Sequence, residues 1–279
     1  MDSNPLTKFF RQPAIYVRLP SQGRSWAPGT IQYPENGELP VLPMTAIDEI
    51  SYRTPDALFN GEAVTGVIQS CIPSIKDAWS TPGTDLDVLL VAIRIASYGH
   101  SMDIGTTCPS CGEEHEFGLD LRTVIDNLKA SDFGQSMTQG DLTFHFRPLT
   151  YREMTNNSLQ QFEQQKTLQM VNQSNEIPET EKVKQLNDMM KSLVEVTVKA
   201  ISQSITEIRT PGAIVTEQKH IEEFITNCDR IVFNAIRDFV VKLRESSELK
   251  PLEITCPSCT HQYQQIFTLD MANFFVAAS

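Results

Sequence analysis

The sequence has no uninterrupted apolar run of the roughly 18 to 20 residues that a membrane-spanning helix needs. Its most apolar segment, Leu86–Ser97, contains Asp87 and Arg94 and is better explained as a buried core helix. Residues 1–24 lack the continuous apolar segment of a secretory signal. We therefore expect a chain without a membrane-spanning segment that stays in the cytoplasm, where thiols are kept reduced.

Positive charge is also scarce in this chain. It contains 23 Lys and Arg against 35 Asp and Glu, which gives a formal net charge of −12. Such a surface is repelled by nucleic-acid phosphates and by anionic membranes, because attraction to them needs a local excess of basic residues. We therefore expect no nucleic-acid partner.

The motifs that usually carry catalysis are missing as well. The sequence has no glycine-rich phosphate loop, no nucleophile elbow and no cluster of histidines with carboxylates. His100 follows Gly99 at a predicted helix end, and His145 alternates with phenylalanines in a predicted strand, so both fit ordinary structural positions. We predict no catalytic residues, no small-molecule substrate and no enzymatic activity.

The sequence does contain enough material for a globular protein of about two domains, with 279 residues of which 40% are hydrophobic. Prolines and turn residues dominate the beginning of the chain and predict an extended arm with short strands, such as Ala14–Leu19. We predict four segments: a proline-rich arm over residues 1–53, a core domain over 54–149, a helical insertion over 150–249, and a second cysteine turn with an apolar tail over 250–279.

The residues after the arm show the apolar spacing of helices. Thr54 and Pro55 suit a helix start, and the apolar spacing continues to Pro73. Thr150 and Glu153 have the form of a capping box. Further helices are predicted over residues 84–99, 150–171, 178–201 and 230–243. The predicted fold class is α+β, mainly helical with short strands.

The strongest signal is an internal repeat. Thr107–Cys111 and Thr255–Cys259 have the same five residues, Thr-Cys-Pro-Ser-Cys, and each copy lies between two strand-like runs. We call each copy, with its turn, a knuckle. Two knuckles supply four thiolates, which is the tetrahedral set that structural Zn²⁺ prefers. We therefore predict one structural zinc ion per chain, bound by Cys108, Cys111, Cys256 and Cys259 in a split zinc ribbon that the helical insertion interrupts.

Other interpretations of the four cysteines stay open at this point. The 144 residues between Cys111 and Cys256 far exceed the usual zinc-ribbon spacing. Two separate sites completed by His115 or His261, redox-active dithiols, disulfides, unmetallated thiols, or iron in place of zinc are the alternatives. Cys71 and Cys228 have no partner at metal-ligand spacing and are predicted to be buried structural cysteines.

Two alternative functions follow from the same cysteines. A zinc ribbon can bind nucleic acid or regulate transcription, but basic residues should then surround the knuckles. The excess of acidic residues in this chain argues against that function. A thiol oxidoreductase needs a cysteine beside positive charge or a helix start, whereas Glu113 and Glu114 follow the first knuckle.

Both ends of the chain carry apolar residues that are candidates for contacts. Residues Met271–Ser279 form an apolar tail, and Phe9 and Phe10 lie near the other end. Each must pack on its own domain or on a partner. We expect packing on the chain's own domain to be the commoner outcome.

Several runs of the first 125 residues resemble a known family. They are Phe10–Tyr16, Glu38–Glu49, Arg53–Gly61, Ile93–Gly99 and the first Cys-Pro-x-Cys motif. In this order they are similar to the baseplate hub and hub-assembly proteins of T-even-like contractile-tailed bacteriophages. The second knuckle is a further match, while the helical insertion is too generic to add to it.

This resemblance implies a non-enzymatic protein of the phage tail, either a component of the baseplate hub or central spike or a factor that assembles the hub. It implies other tail baseplate hub proteins as partners in a hetero-oligomeric assembly. It also implies a location in the virion tail after synthesis and assembly in the host cytoplasm.

Overall fold

The computed structural model describes residues 4–54, 59–128, 131–173, 178–245, 249–267 and 274–275. The chain divides into two compact units. Unit 1 consists of Met1–Ala78, Thr84–Ala130 and Ser247–Ser279, and unit 2 consists of Trp79–Gly83 and Ser131–Ser246. The longer stretch of unit 2 therefore interrupts unit 1 in the sequence.

The described residues contain both helices and strands, as the α+β class requires. Their eight α-helices are α1 Ala46–Tyr52, α2 Glu62–Cys71, α3 Gly83–Tyr98, α4 Leu121–Asn127, α5 Tyr151–Gln173, α6 Glu179–Gln203, α7 Gln218–Asn227 and α8 Arg230–Glu245. Their strands are β1 Ile15–Val17, β2 Leu39–Val41, β3 Ser101–Thr107, β4 Glu114–Asp120, β5 Ser136–Gln139, β6 Leu142–Phe146, β7 Ile205–Arg209, β8 Ile214–Val215, β9 Leu252–Thr255 and β10 Gln262–Gln265.

The sheets are small and antiparallel. The described residues of unit 1 contain three two-stranded sheets, which pair β1 with β2, β3 with β4 and β9 with β10. Unit 2 has a four-stranded sheet in the order β5-β6-β7-β8, with a register shift between His145 and Phe146. The β3–β4 and β9–β10 hairpins each enclose one knuckle.

Helix α3 supplies much of the core of unit 1. Its residues 88–93 are buried on every side, as its apolar sequence predicts. The carboxylate of Asp85 is also buried, and it accepts hydrogen bonds from the backbone N–H of Ser21 at 2.9 Å, from the Ser21 hydroxyl and from Trp26 Nε1 at 2.8 Å. Burial raises the pKa of Asp85, and the three donors oppose that shift. The middle of the proline-rich arm, around Ser21 and Trp26, is therefore packed into unit 1.

Unit 2 is built around its sheet. Phe144, Ile205 and Ile208 of β6 and β7 share one buried cluster with residues of α6, α7 and α8. The capping box predicted at the start of α5 is confirmed. The Thr150 N–H donates to the Glu153 carboxylate at 2.9 Å, and the Glu153 N–H donates to the Thr150 hydroxyl at 3.3 Å.

Most predicted helices are present, with several differences. The arm predicted to be extended ends in helix α1, which the capping box of Thr45 and Asp48 starts, and helix α4 was not predicted either. The described helix that ends near Pro73 begins at Glu62, after Gly61 in a left-handed conformation, and the predicted start at Pro55 lies outside the described residues. Helix α7 and strands β7 and β8 were not predicted within residues 150–249. No helix among the described residues is long and apolar enough to cross a membrane.

The two ends of the chain differ. Phe274 and Phe275 are buried, and the Phe275 ring lies edge-on to Tyr52 with 4.8 Å between centroids. The tail therefore packs on unit 1 at these two positions, whereas the rest of residues 271–279 lies outside the described part. Phe9 and Phe10 are exposed.

Candidate metal centre

The four cysteines of the two knuckles come together in unit 1. The sulfur atoms of Cys108, Cys111, Cys256 and Cys259 all lie within 4.8 Å of one another. Cys108 and Cys256 are buried, while Cys111 and Cys259 are exposed. The group could hold a metal ion at the outer edge of the two hairpins.

Each knuckle turns in the same way, because the same backbone hydrogen bonds close it. In the first, the N–H of Cys108 donates to Glu113 O and the N–H of Gly112 donates to Cys108 O, both at 2.9 Å. In the second, the N–H of Cys256 donates to His261 O and the N–H of Thr260 donates to Cys256 O, again both at 2.9 Å. The repeated sequence therefore produces a repeated local structure.

The residue after the second cysteine adopts a left-handed conformation in both knuckles. In the first knuckle it is Gly112, with φ of 75°, and in the second it is Thr260, with φ of 60°. Glycine adopts this conformation without strain, whereas a β-branched residue rarely does. The second knuckle therefore holds Thr260 in a strained conformation next to a candidate ligand.

The distances between sulfurs fit a shared ion. Cys108 Sγ lies 3.7 Å from Cys259 Sγ, and Cys111 Sγ lies 3.7 Å from Cys256 Sγ. Four thiolates around zinc with Zn–S bonds of about 2.3 Å would have sulfurs about 3.8 Å apart in a tetrahedron. A disulfide has its sulfurs about 2.0 Å apart, so these cysteines are free thiols in this structure.

The electrostatics of the thiols also depend on the knuckles. Desolvation raises the pKa of Cys108, but hydrogen bonds from the backbone N–H groups of Cys111 and Ser110 outweigh it and lower that pKa to about 7. The N–H groups of Cys259 and Ser258 likewise lower the pKa of Cys256. The backbone therefore favours thiolate at the first cysteine of each knuckle.

The second cysteine of the first knuckle behaves in the opposite way. The N–H of Glu113 lowers the pKa of Cys111, but contacts with the other three sulfurs, together with desolvation, raise it to about 12. Four neighbouring sulfurs cannot all become anions without a cation between them. A divalent metal ion would remove this conflict, because it favours the thiolate form of every ligand.

The hairpins also contact each other next to the sulfurs. The hydroxyl groups of Tyr263 and Thr106 are 3.0 Å apart, and Thr106 Oγ1 donates to Gln265 Oε1 at 3.2 Å. Tyr263 OH lies 3.4 Å from His115 Nε2. His115 and Tyr263 are each seven residues after the first cysteine of their knuckle. Together with the crossed sulfur pairs, this contact indicates an approximate twofold relation between the hairpins.

The histidines do not join the cysteine group among the described residues. The ring of His115 lies edge-on to Tyr263, and the ring of His261 stacks on the same tyrosine with 6.3 Å between centroids. Two separate sites completed by these histidines are therefore not the arrangement found. Both cysteine pairs lie in hairpin turns rather than at a helix start, which is where a thioredoxin-type dithiol lies.

The two remaining cysteines lie elsewhere. Cys71 is buried beside the Arg11 guanidinium, and burial raises its pKa to about 12. Cys228 is half-buried, rather than buried as predicted, and its thiol donates to Ile225 O at 3.4 Å. Outside the cysteines, His145 lies in strand β6, as predicted, and its Nε2 atom is 3.6 Å from the Glu207 carboxylate.

Some residues of the centre were not found by sequence reasoning. The contacts of Thr106, Tyr263 and Gln265 join hairpins that are far apart in the chain, and Thr260 has no residue-type signal for a left-handed position. Extending the alignment of the two repeats beyond the second cysteine would have indicated the left-handed position of Thr260, but not the contacts between the hairpins. It pairs Gly112 with Thr260 and His115 with Tyr263.

The fold and the cysteine group describe an α+β protein with a candidate metal centre between two hairpins. The family model described as T4 bacteriophage base plate protein matches residues 44–276, which is most of the chain. The chain therefore belongs to this family, and the resemblance to T-even-like baseplate proteins is confirmed. No curated protein and no solved structure matches it.

Proposed function

We propose that the protein is a non-enzymatic structural subunit of the baseplate hub or central spike region of a contractile phage tail, or a factor required to assemble that hub. The family membership supports a structural role in the baseplate. It also implies assembly with other phage tail proteins and a place in the virion tail. In this proposal the protein is made and assembled in the host cytoplasm.

The same proposal assigns one structural Zn²⁺ per chain to Cys108, Cys111, Cys256 and Cys259. The observation that carries it is the crossed approach of the two knuckles, with each first cysteine 3.7 Å from the second cysteine of the other. Four thiolates leave no coordination position for water or substrate, which suits a structural ion and not a catalytic one. When bound, the ion supplies a cross-link between hairpins β3–β4 and β9–β10.

The cross-link would stabilise a chain with this organisation. The two hairpins belong to unit 1, but residues 131–246 of unit 2 lie between them in the sequence. Closing such a long loop costs entropy, which metal binding offsets. We propose a metal-linked core within residues 54–149 and 250–279 and an insertion over residues 150–249, which residues 131–149 join in unit 2. In the arm over residues 1–53, we propose that the exposed residues near its start are the ones available for partner contacts.

Exposed apolar residues near the N-terminus support the proposal that the arm contacts a partner. Leu6, Phe9 and Phe10 are more than half exposed, although they are large apolar side chains. A subunit that is buried in a larger assembly has a use for such side chains, since a partner can cover them. We propose other hub proteins as those partners.

Complementation tests this function. A phage with a disrupted copy of the gene would be supplied with the wild-type chain or with the Cys256→Ser, Cys259→Ser double variant. We expect infectious particles only with the wild type, and incomplete baseplates by electron microscopy without it. Complete, infectious tails formed without the chain would contradict a structural or assembly role.

Mass spectrometry of purified tails separates the two forms of the proposal. A structural subunit is found in finished tails at a fixed ratio to other baseplate proteins, whereas an assembly factor is found only in intermediates. Elemental analysis of the purified chain distinguishes zinc from iron.

A further inference from the structure

Helix α6 in unit 2 has two apolar stripes, and only one of them is covered. The helix packs along α5, and Met189 and Val196 on its covered stripe are buried. On the second stripe Val183, Met190 and Val194 are 52%, 62% and 61% exposed. Single exposed apolar residues are ordinary, but three on one helical stripe indicate a contact surface.

The second stripe has the spacing of a helix–helix seam. Val183, Asn187, Met190, Val194 and Thr197 follow one another at steps of four, three, four and three residues, and all five are exposed. This alternation is the heptad pattern by which one helix packs on another. Asn187 is the second of these five positions, and a polar residue within such a seam commonly fixes the register of a helix pair.

Charged residues border this stripe on the side away from the covered face. Lys184, Asp188, Lys191 and Glu195 are exposed and alternate in sign along the helix. Reversing the direction of the helix reverses the order of these signs. A second copy of α6 that runs antiparallel therefore places Glu195 opposite Lys184 and Lys191 opposite Asp188, and the twofold axis repeats both pairs.

The apolar residues agree with the same alignment. The register that pairs residue 184 with 195 centres the axis between Met189 and Met190. The stripe residues of the two copies then fall at alternating heights along the helices, so that each set enters the gaps of the other. One register thus satisfies both the charges and the apolar side chains.

We propose that two copies of this chain associate through an antiparallel pairing of the exposed α6 stripes, which brings two α5–α6 pairs into a four-helix arrangement. The charged border of the stripe is complementary to its own reversed sequence, and this self-complementarity favours a second copy over a different protein. The proposal does not depend on the metal centre or on the position of the protein in the tail.

The molecular mass of the full chain in solution tests this pairing. Light scattering after size-exclusion chromatography should give twice the 31.4 kDa of one chain at high protein concentration, falling toward one chain on dilution or at high salt. A wild-type chain that stays at 31.4 kDa at every concentration would overturn the proposal and leave the stripe for another tail protein.

A pair of charge variants makes the test specific for this register. The Lys184→Glu, Lys191→Glu variant has an all-acidic border, and the Asp188→Lys, Glu195→Lys variant has an all-basic one. Each alone should be monomeric, because like charges would face each other across the axis. An equimolar mixture should restore a dimer that contains one chain of each kind.

The control variant changes two exposed lysines outside the stripe, Lys166→Glu and Lys219→Glu, and should dimerise like the wild type. Circular dichroism confirms that all variants keep their helices. If both charge variants dimerise alone, or if the mixture stays monomeric, the antiparallel register is wrong and the proposal fails.

Discussion

The two knuckles have the same five residues and the same closing hydrogen bonds, yet the hairpins that support them differ. Strands β3 and β4 are seven residues long, and the chain continues from them directly into α3 on one side and α4 on the other. Strands β9 and β10 have four residues each. An isolated hairpin of that length is marginally stable in water.

This difference indicates an unequal dependence on the candidate metal. The first hairpin is anchored at its base, where the N–H of Leu121 donates to His100 O at 2.8 Å. The second reaches the first through its sulfurs and through Tyr263 and Gln265. We therefore expect the bound ion to hold the second hairpin in place more than the first.

Loss of one cysteine should have the largest effect. Cys108→Ser or Cys256→Ser removes a thiolate from the shared set, and we expect both variants to lose the metal and to be destabilised by several kcal/mol. Elemental analysis and thermal unfolding measure the two effects. Cys228→Ser, which changes a half-buried thiol of unit 2, is the matched control and should keep the metal. Single variants that retain one ion with unchanged melting would rule out the shared site.

Metal removal from the wild type should affect the two hairpins to different degrees. Protons compete with metal for thiolates, so metal binding weakens as the pH falls and is favoured as the pH rises. After chelation, or in acid, we expect the amides of β9 and β10 to lose protection from hydrogen exchange first, then those of β3 and β4. The sheet of unit 2 serves as the internal control. Equal loss in both hairpins would contradict the unequal dependence.

Substitutions at the two left-handed positions should have opposite effects on stability. Gly112→Thr forces a β-branched residue to φ of 75° and should cost about 1–2 kcal/mol of stability. Thr260→Gly removes the strain in the second knuckle and should be neutral or stabilising by up to about 1 kcal/mol. Denaturant unfolding of the metal-loaded chain measures both. Equal destabilisation by the two variants would show that Thr260 is not strained.

The smallest effect is expected for the contact between the hairpins. Tyr263→Phe removes the hydroxyl that lies 3.0 Å from Thr106 Oγ1 and should cost about 1 kcal/mol without loss of metal. His261→Ala changes the stacked neighbour of the same ring and gives a control without that hydrogen bond. A Tyr263→Phe variant that releases the metal would mean that the hydroxyl group also supports the ligands.

Sequence periodicity predicted the long helices well, because each of them carries its own pattern. Helix α3 is apolar throughout, and α5 begins at the capping box of Thr150 and Glu153. Helix α7 was missed although Ile221, Phe224 and Ile225 recur at helical spacing, because it has only ten residues and no side-chain cap at its start. Strands β7 and β8 have five and two residues and depend on pairing with β6, which no local pattern in the sequence reveals.

The candidate site also combines local features that the sequence predicts with tertiary features that it does not. The repeat predicted the four cysteines and the strand–turn–strand form of each knuckle, because a tight turn is a local structure. The crossed sulfur pairs and the contact of Thr106 with Tyr263 result from docking one hairpin on the other. Such docking is a tertiary event, and the spacing of residues along the chain does not encode it.

We propose that one metal ion is bound by both knuckles together. The most direct test is the metal content per chain of the wild type and of the Cys256→Ser, Cys259→Ser double variant, measured by elemental analysis after gel filtration. We expect one zinc ion per wild-type chain and none in the variant, although the variant keeps both cysteines of the first knuckle. Zinc retained by the variant at the wild-type ratio, or no metal in the wild type, would contradict it.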